Sequence, residues 1–222
     1  MHAVLLIGSP RGPGSTSDAL GTYLMERLKE KGVVARKVYL QRSLSSAEGI
    51  NTLLRTVGET DILILAAPLY ADSHHSGVIR AMELIREDLK NKPRVSKQMM
   101  VALSNSGFPE SRHNDLSLAI SRRFALECGL QWAGGLALGG GESIGGRPLK
   151  EAGALVRNVK KSLTLAADAL AKGEDVPEEA ITLMARPLVP RWLYLLIGNI
   201  GWIMKARKQD CRERLGSRPY LD

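Results

Sequence analysis

Cysteine is nearly absent: Cys128 and Cys211 are all that 222 residues carry, and neither has a partner at ligand spacing. That leaves no basis for a disulfide framework or for a zinc or iron–sulfur site, and it fits a reducing, cytoplasmic setting. Phenylalanine is as scarce, at two residues, and no nucleic-acid motif accompanies the net charge of +8. Attraction to anions without a stacking surface or motif argues against nucleic acid as a partner. Long apolar runs are lacking too. The N-terminal run, Ala3-Val4-Leu5-Leu6-Ile7, ends after five residues at Gly8 and Pro10, too short for an export signal.

What is present suffices for a core without staples, since 44% of the residues are hydrophobic. Apolar runs of strand length alternate with stretches of helical period, which is the pattern of a parallel sheet covered on both faces. Strands are expected over residues 2–8, 33–40, 61–67, 98–103 and 131–138, and helices over 15–31, 46–57, 76–90, 114–128 and 149–172. Pro68 is expected to end the third strand, because it cannot donate to a ladder, and a polar link is expected between the second strand and second helix. An α/β domain over residues 1–174 and a helical extension over 175–222 follow.

The chemistry concentrates in the loops after strands. The first strand empties into Gly8-Ser9-Pro10-Arg11-Gly12-Pro13-Gly14-Ser15-Thr16-Ser17 and then a helix. The first N–H groups of a helix lack intrahelical partners and sit at the positive end of its dipole, so such a turn suits a phosphate. An ordinary strand-to-helix turn with a Ser N-cap is the plainer reading. Two polyphosphate motifs fail: five residues rather than four lie between Gly8 and Gly14, with Ser15 rather than Lys next, and Ser17 stands where a dinucleotide fingerprint needs its third glycine. A single terminal phosphate fits better. Similar small-residue loops follow strand three (Pro68-Leu69-Tyr70), strand four (Ser104-Asn105-Ser106-Gly107-Phe108-Pro109) and strand five (residues 139–146). In a doubly wound sheet these share the edge where ligands bind, although glycine clusters also serve simply as turns. Ser143 falls in a G-x-S-x-G stretch (Gly141-Glu142-Ser143-Ile144-Gly145), but no His–Asp pair has matching placement, which argues against a hydrolase.

Gly8-Ser9-Pro10-Arg11 with Ser15-Thr16-Ser17, then Ala67-Pro68-Leu69-Tyr70, then Ser104-Asn105-Ser106-Gly107 together resemble the NAD(P)H-dependent FMN reductases and quinone reductases of the flavodoxin-like superfamily, over residues 1–172. The resemblance implies a flavodoxin-like three-layer sandwich with sheet order 2-1-3-4-5. It implies FMN as cofactor, with its phosphate at Ser9, Arg11, Ser15, Thr16 and Ser17, its ring against Pro68, Leu69 and Tyr70, and its pyrimidine edge at Ser104, Asn105, Ser106 and Gly107. It implies NADH or NADPH as electron donor, a small-molecule acceptor (quinone, flavin, nitro or azo compound), and a cytoplasmic homodimer or homotetramer. No catalytic side chain is singled out, because the cofactor carries the chemistry. From the residues alone, Tyr70 equally suits packing, and His74 and His75 suit either a charge-stabilising role or a solvated, capping one. The cysteine cluster of iron–sulfur flavoproteins is missing at residues 41–46, and the strand-end acids of receiver domains are replaced by Gly8-Ser9. A non-catalytic electron carrier or FMN-binding module is the alternative, although flavodoxins of that kind are generally acidic.

In the extension, residues 192–204 are apolar nearly all round a helix and bounded by Arg191 and Lys205. Thirteen residues span about 20 Å, short of a bilayer core of about 30 Å. Burial on the domain, a subunit interface that roofs the site, and peripheral membrane contact through residues 191–205 are the three readings. From residue 181 onward eight basic side chains face three acidic ones, carrying five of the eight net positive charges.

Overall fold

Three strands of the sheet, over residues 2–7, 62–70 and 99–105, are buried on both faces for most of their length, which commits them to the middle of a three-layer α/β fold. A computed structural model describes residues 1–91 and 97–217. The strands are β1 (His2–Ile7), β2 (Val34–Tyr39), β3 (Ile62–Tyr70), a two-residue β4 (Ser73–His74), β5 (Met99–Asn105) and β6 (Gln131–Leu138). They run in the order β2-β1-β3-β5-β6, all parallel, with β4 antiparallel to the end of β3. The long strands thus take the expected order 2-1-3-4-5. The helices are α1 (Thr16–Glu30), α2 (Leu40–Ser43), α3 (Ala47–Gly58), α4 (Ser76–Asn91), α5 (Asp115–Glu127), α6 (Arg157–Leu170), α7 (Glu178–Ala185) and α8 (Arg191–Lys208).

Period-two alternation sorts the strand side chains into two cores. Leu5, Ile7, Ile62, Ile64 and Val101 pack against Leu20, Leu24 and Leu28 of α1 and Val159, Leu163 and Ala166 of α6. Val4, Leu6, Leu63, Leu65 and Met100 pack against Leu53 and Val57 of α3, Val78, Met82 and Ile85 of α4, and Phe124 of α5.

Three local expectations are corrected. Pro68 does not end the third strand: β3 continues to Tyr70, with Pro68 opposite Asn105 of β5. The Gly8 N–H donates to the Ala66 carbonyl at 2.8 Å, so Ala66 faces β1; two residues on, the proline nitrogen faces the same side, beyond the end of β1, where no ladder needs its hydrogen. Between β2 and α3 the polar link is in part helical, as α2. The last helix of the domain starts at Arg157 rather than near 149; a 3-10 turn, Gly153–Val156, precedes it, with Gly153 at φ +61°. Leu149 and Val156 are buried all the same, so their apolar spacing mimics a helical stripe without forming one.

Backbone contacts divide the chain into Met1–Leu188 and Val189–Asp222. The α7 segment, expected in the extension, lies in the first unit: Ala180 and Met184 join the core, and Ser162 Oγ donates to the Ala180 carbonyl at 2.6 Å. In the second unit α8 exposes Trp192, Leu196, Ile197, Ile200, Trp202 and Met204. Among the described residues, no helix is long and apolar enough to cross a membrane.

Candidate functional site

The C-terminal ends of β1, β3, β5 and β6 meet at a cleft of about 200 Å³ lined by Ser9, Arg11, Ser15, Thr16, Ser17, Pro68, Leu69, Tyr70, Asn105, Ser106, Gly107, Gly141 and Glu142. Ser15 is the N-cap of α1: its backbone is extended and its Oγ accepts from the Asp18 N–H at 3.1 Å. The N–H groups of Thr16 and Ser17, at the first two helical positions, have no carbonyl four residues back within the helix and are available to an anion. Ser9 shapes the loop, its carbonyl accepting from Gly12 N–H at 3.0 Å and its Oγ from Arg11 N–H at 3.3 Å.

Two of the expected hydroxyls also brace the loops. Thr16 Oγ1 donates to the Gly141 carbonyl at 3.0 Å, tying the loop after β6 to the start of α1. Ser17 Oγ accepts from Asn105 Nδ2 at 2.8 Å, and that amide also reaches the Ala67 carbonyl at 3.3 Å, so one buried side chain links α1, β3 and β5. Gly146 seals the assembly. At φ +74° a Cβ there would stand 1.6 Å from the Gly14 carbonyl oxygen, so only glycine lets the two loops touch.

Asp18 underlies the phosphate-type loop. Burial pushes its carboxyl up, but hydrogen bonds from Lys37 at 2.8 Å, Gly14 N–H at 3.2 Å and Tyr39 at 3.2 Å outweigh this and hold it below its ordinary value of 3.8. It is therefore a compensated anion that stiffens the loop.

The middle of the cleft is walled by a hairpin. Leu69 pairs with His74 and Tyr70 with Ser73, across a two-residue turn in which Ala71 (φ 45°) and Asp72 (φ 58°) are both left-handed, the type I′ geometry. Tyr70 is 42% exposed, its ring edge-on to His75 at 5.5 Å. The two histidines differ. His75 Nδ1 accepts from the Gly77 N–H at 3.1 Å, a capping role, whereas His74 is buried with Nε2 2.9 Å from Ser121 Oγ. Ser121 Oγ donates to the Ser117 carbonyl at 2.9 Å, so it accepts from His74, whose Nδ1 is left a buried lone pair. Burial holds the His74 imidazole below its ordinary 6.5.

Of the twelve residues singled out from sequence, eleven line the cleft and Ser104 does not. Its hydroxyl is turned into the protein, 3.0 Å from Asn114 Oδ1 and 2.6 Å from Ser117 Oγ. Sequence reasoning also missed Asn114, which is fully buried and donates to Ser106 Oγ at 3.3 Å and the Leu138 carbonyl at 3.2 Å. Nothing in a lone asparagine before a helix signals that. Glu142 was within reach of the glycine-rich loop after the fifth strand, yet only the fold shows its carboxylate 3.4 Å from the Arg11 guanidinium.

Neither a family model nor a curated relative matches the sequence. Solved structures do resemble the fold. An FMN-dependent NADH-azoreductase from Bacillus anthracis, in complex with FMN, matches with a TM-score of 0.56 at 13% identity, over 77% of this chain and 100% of its own. NAD(P)H:quinone oxidoreductase from Methanothermobacter marburgensis matches with a TM-score of 0.57 at 17% identity, over 77% and 96%. An NADH:FMN oxidoreductase in its apo form gives 0.56 at 16% identity, over 86% and 97%. At such identities the likeness establishes a flavodoxin-like fold.

Proposed function

We propose that the protein is an FMN-dependent NAD(P)H oxidoreductase that passes electrons to a small-molecule acceptor such as a quinone, a flavin, or a nitro or azo compound. The observation that carries this reading is the convergence, in one cleft, of a helix N-terminus with free N–H donors and the two loops that follow β3 and β5. The three fold neighbours are an FMN-dependent NADH-azoreductase, an NAD(P)H:quinone oxidoreductase and an NADH:FMN oxidoreductase, which supports the same class.

The residues present fit FMN. One phosphate can be met by the Thr16 and Ser17 N–H groups, the Ser9 and Ser15 hydroxyls, and the Arg11 guanidinium, a charged donor. Pro68, Leu69 and Tyr70 offer an apolar wall for a ring, and Asn105, Ser106 and Gly107 offer amide and hydroxyl groups for its polar edge. At about 200 Å³ the cleft is smaller than the usual ligand pocket of roughly 300–1,000 Å³, so a ring held there is enclosed only in part. When bound, FMN supplies hydride uptake and delivery. The lining residues hold one arginine, one carboxylate and no histidine, cysteine or lysine, so the chain's own part is binding, orientation and partial exclusion of water. Ser104 acts through Asn114, which positions Ser106.

The chain is proposed to work in the cytoplasm, in keeping with its two free cysteines, and as a homodimer or homotetramer, for which the exposed apolar side chains of α8 provide surface. The test is a titration of the purified protein with FMN. Saturable binding that is stronger than that of riboflavin is expected; failure to bind FMN would sink the reading.

A further inference from the structure

The cleft contains a carboxylate where a phosphate would need room. Among the described residues that line it, Arg11 is the one cation and Glu142 the one anion, and they pair across its mouth at 3.4 Å. Both side chains are open to solvent, at 67% and 61% exposure, so the pair itself contributes little and opens at small cost. The backbone that carries Glu142 is held much more firmly. Glu142 sits in a 3-10 turn, Gly141–Ser143, whose Gly141 N–H donates to the Ser106 carbonyl at 2.8 Å and whose Gly141 carbonyl accepts from Thr16 Oγ1 at 3.0 Å. Gly140 N–H adds a bond to the Phe108 carbonyl at 2.7 Å. The turn is thus fastened both to the start of α1, at the phosphate subsite, and to the loop after β5, at the polar edge of the ring site. The carboxylate can rotate, but its backbone cannot withdraw without breaking those bonds.

We propose that Glu142 limits affinity at this subsite: its carboxylate occupies the Arg11 guanidinium in the free protein and must give way when a phosphate enters. The inference rests on the flavin reading above and deepens it. A phosphate monoester brings nearly two negative charges at neutral pH, so it gains Arg11 only by displacing Glu142, and afterwards it has that carboxylate as a neighbour. The consequence is weaker FMN binding and faster release than the same site would give without that charge. The effect is confined to ligands with a phosphate, because a flavin without one has nothing to set against either charge.

The experiment compares FMN with riboflavin, as binding titrations and dissociation rates on the full chain, for the wild type and Glu142→Gln, at low and high salt. Glu142→Gln keeps the size of the side chain at an exposed position and removes the charge. The expected result is about three- to tenfold tighter FMN binding with slower release, unchanged riboflavin binding, and a gain that shrinks as salt screens it. Unchanged or weaker FMN binding, or an equal gain for riboflavin, would overturn the proposal while leaving the flavin reading intact. If neither protein binds FMN, the flavin reading falls and the role of Glu142 falls with it.

Discussion

Arg11 lines the cleft but spends the free state at the surface beside Glu142, and this lowers what its loss should cost. Arg11→Ala is expected to weaken FMN binding by about 1 kcal/mol, below the roughly 1.5–3 kcal/mol of a charged hydrogen bond, because solvent screens an exposed guanidinium. Titration of the variant with FMN checks it. Two titratable groups, the half-buried Asp18 and the buried His74, contribute to the acid response. Asp18 is held below its ordinary 3.8 in the folded chain, so its contribution is present above that value and is lost as pH falls through 3.8 and below. His74 is held below 6.5, so beneath that pH the unfolded chain takes up a proton that the native imidazole resists, and stability again falls. Urea unfolding as a function of pH should show both losses, with His74→Gln flattening the slope just below pH 6.5 and leaving the loss near 3.8. The roles of single residues were only partly legible in the sequence. Ser9, Ser15 and Asn105 could be placed from their loops. Ser104 could not be told from Ser106, since positions two apart share a strand face and only the end of β5 at Asn105 separates them, and the burial of His74 depends on a partner, Ser121, 47 positions away.

At the scale of elements, the hairpin and the loop contacts decide whether the cleft keeps its shape. Ala71 holds φ at 45° in the β3–β4 turn, a conformation that costs an L-residue about 1–2 kcal/mol. Ala71→Gly should therefore stabilise the protein by about 1 kcal/mol in chemical unfolding, somewhat less than the full strain because glycine is also freer when unfolded. Gly146→Ala is the opposite case. Its Cβ would meet the Gly14 carbonyl at 1.6 Å, so the loop after β6 must lift away from the start of α1, and both stability and FMN affinity should fall, the former by about 1–3 kcal/mol. Unfolding curves and FMN titrations on one preparation read both. The central strands β1, β3 and β5 were legible because each is an apolar run between stretches of helical period. The hairpin was not: Ala71-Asp72 lacks the Asn-Gly or Asp-Gly signature of its turn, and Pro68 reads as a stop unless β1 is known to end before it.

On the scale of the whole molecule, the sheet pattern reports the α/β class, and the strand order came from the resemblance of three loops rather than from periodicity. The extension was the least legible part. Its α7 segment looks like a separate piece because Gly173, Asp175 and Pro177 interrupt the chain, yet Val176 N–H bonds to the Ala133 carbonyl at 2.7 Å and draws it onto β6. Truncation after Leu188 should leave the first unit folded and able to bind FMN, while sizing by light scattering should show loss of the oligomer; an unchanged assembly would remove α8 from the subunit interface.

The most direct test of the central claim is an anaerobic titration of the FMN-loaded protein with NADH and with NADPH, followed in the visible flavin absorption. The account predicts that at least one nicotinamide bleaches the bound flavin and that adding a quinone, flavin, nitro or azo acceptor restores the colour. Flavin that binds and stays coloured with both nicotinamides would contradict it and leave a carrier in place of an enzyme.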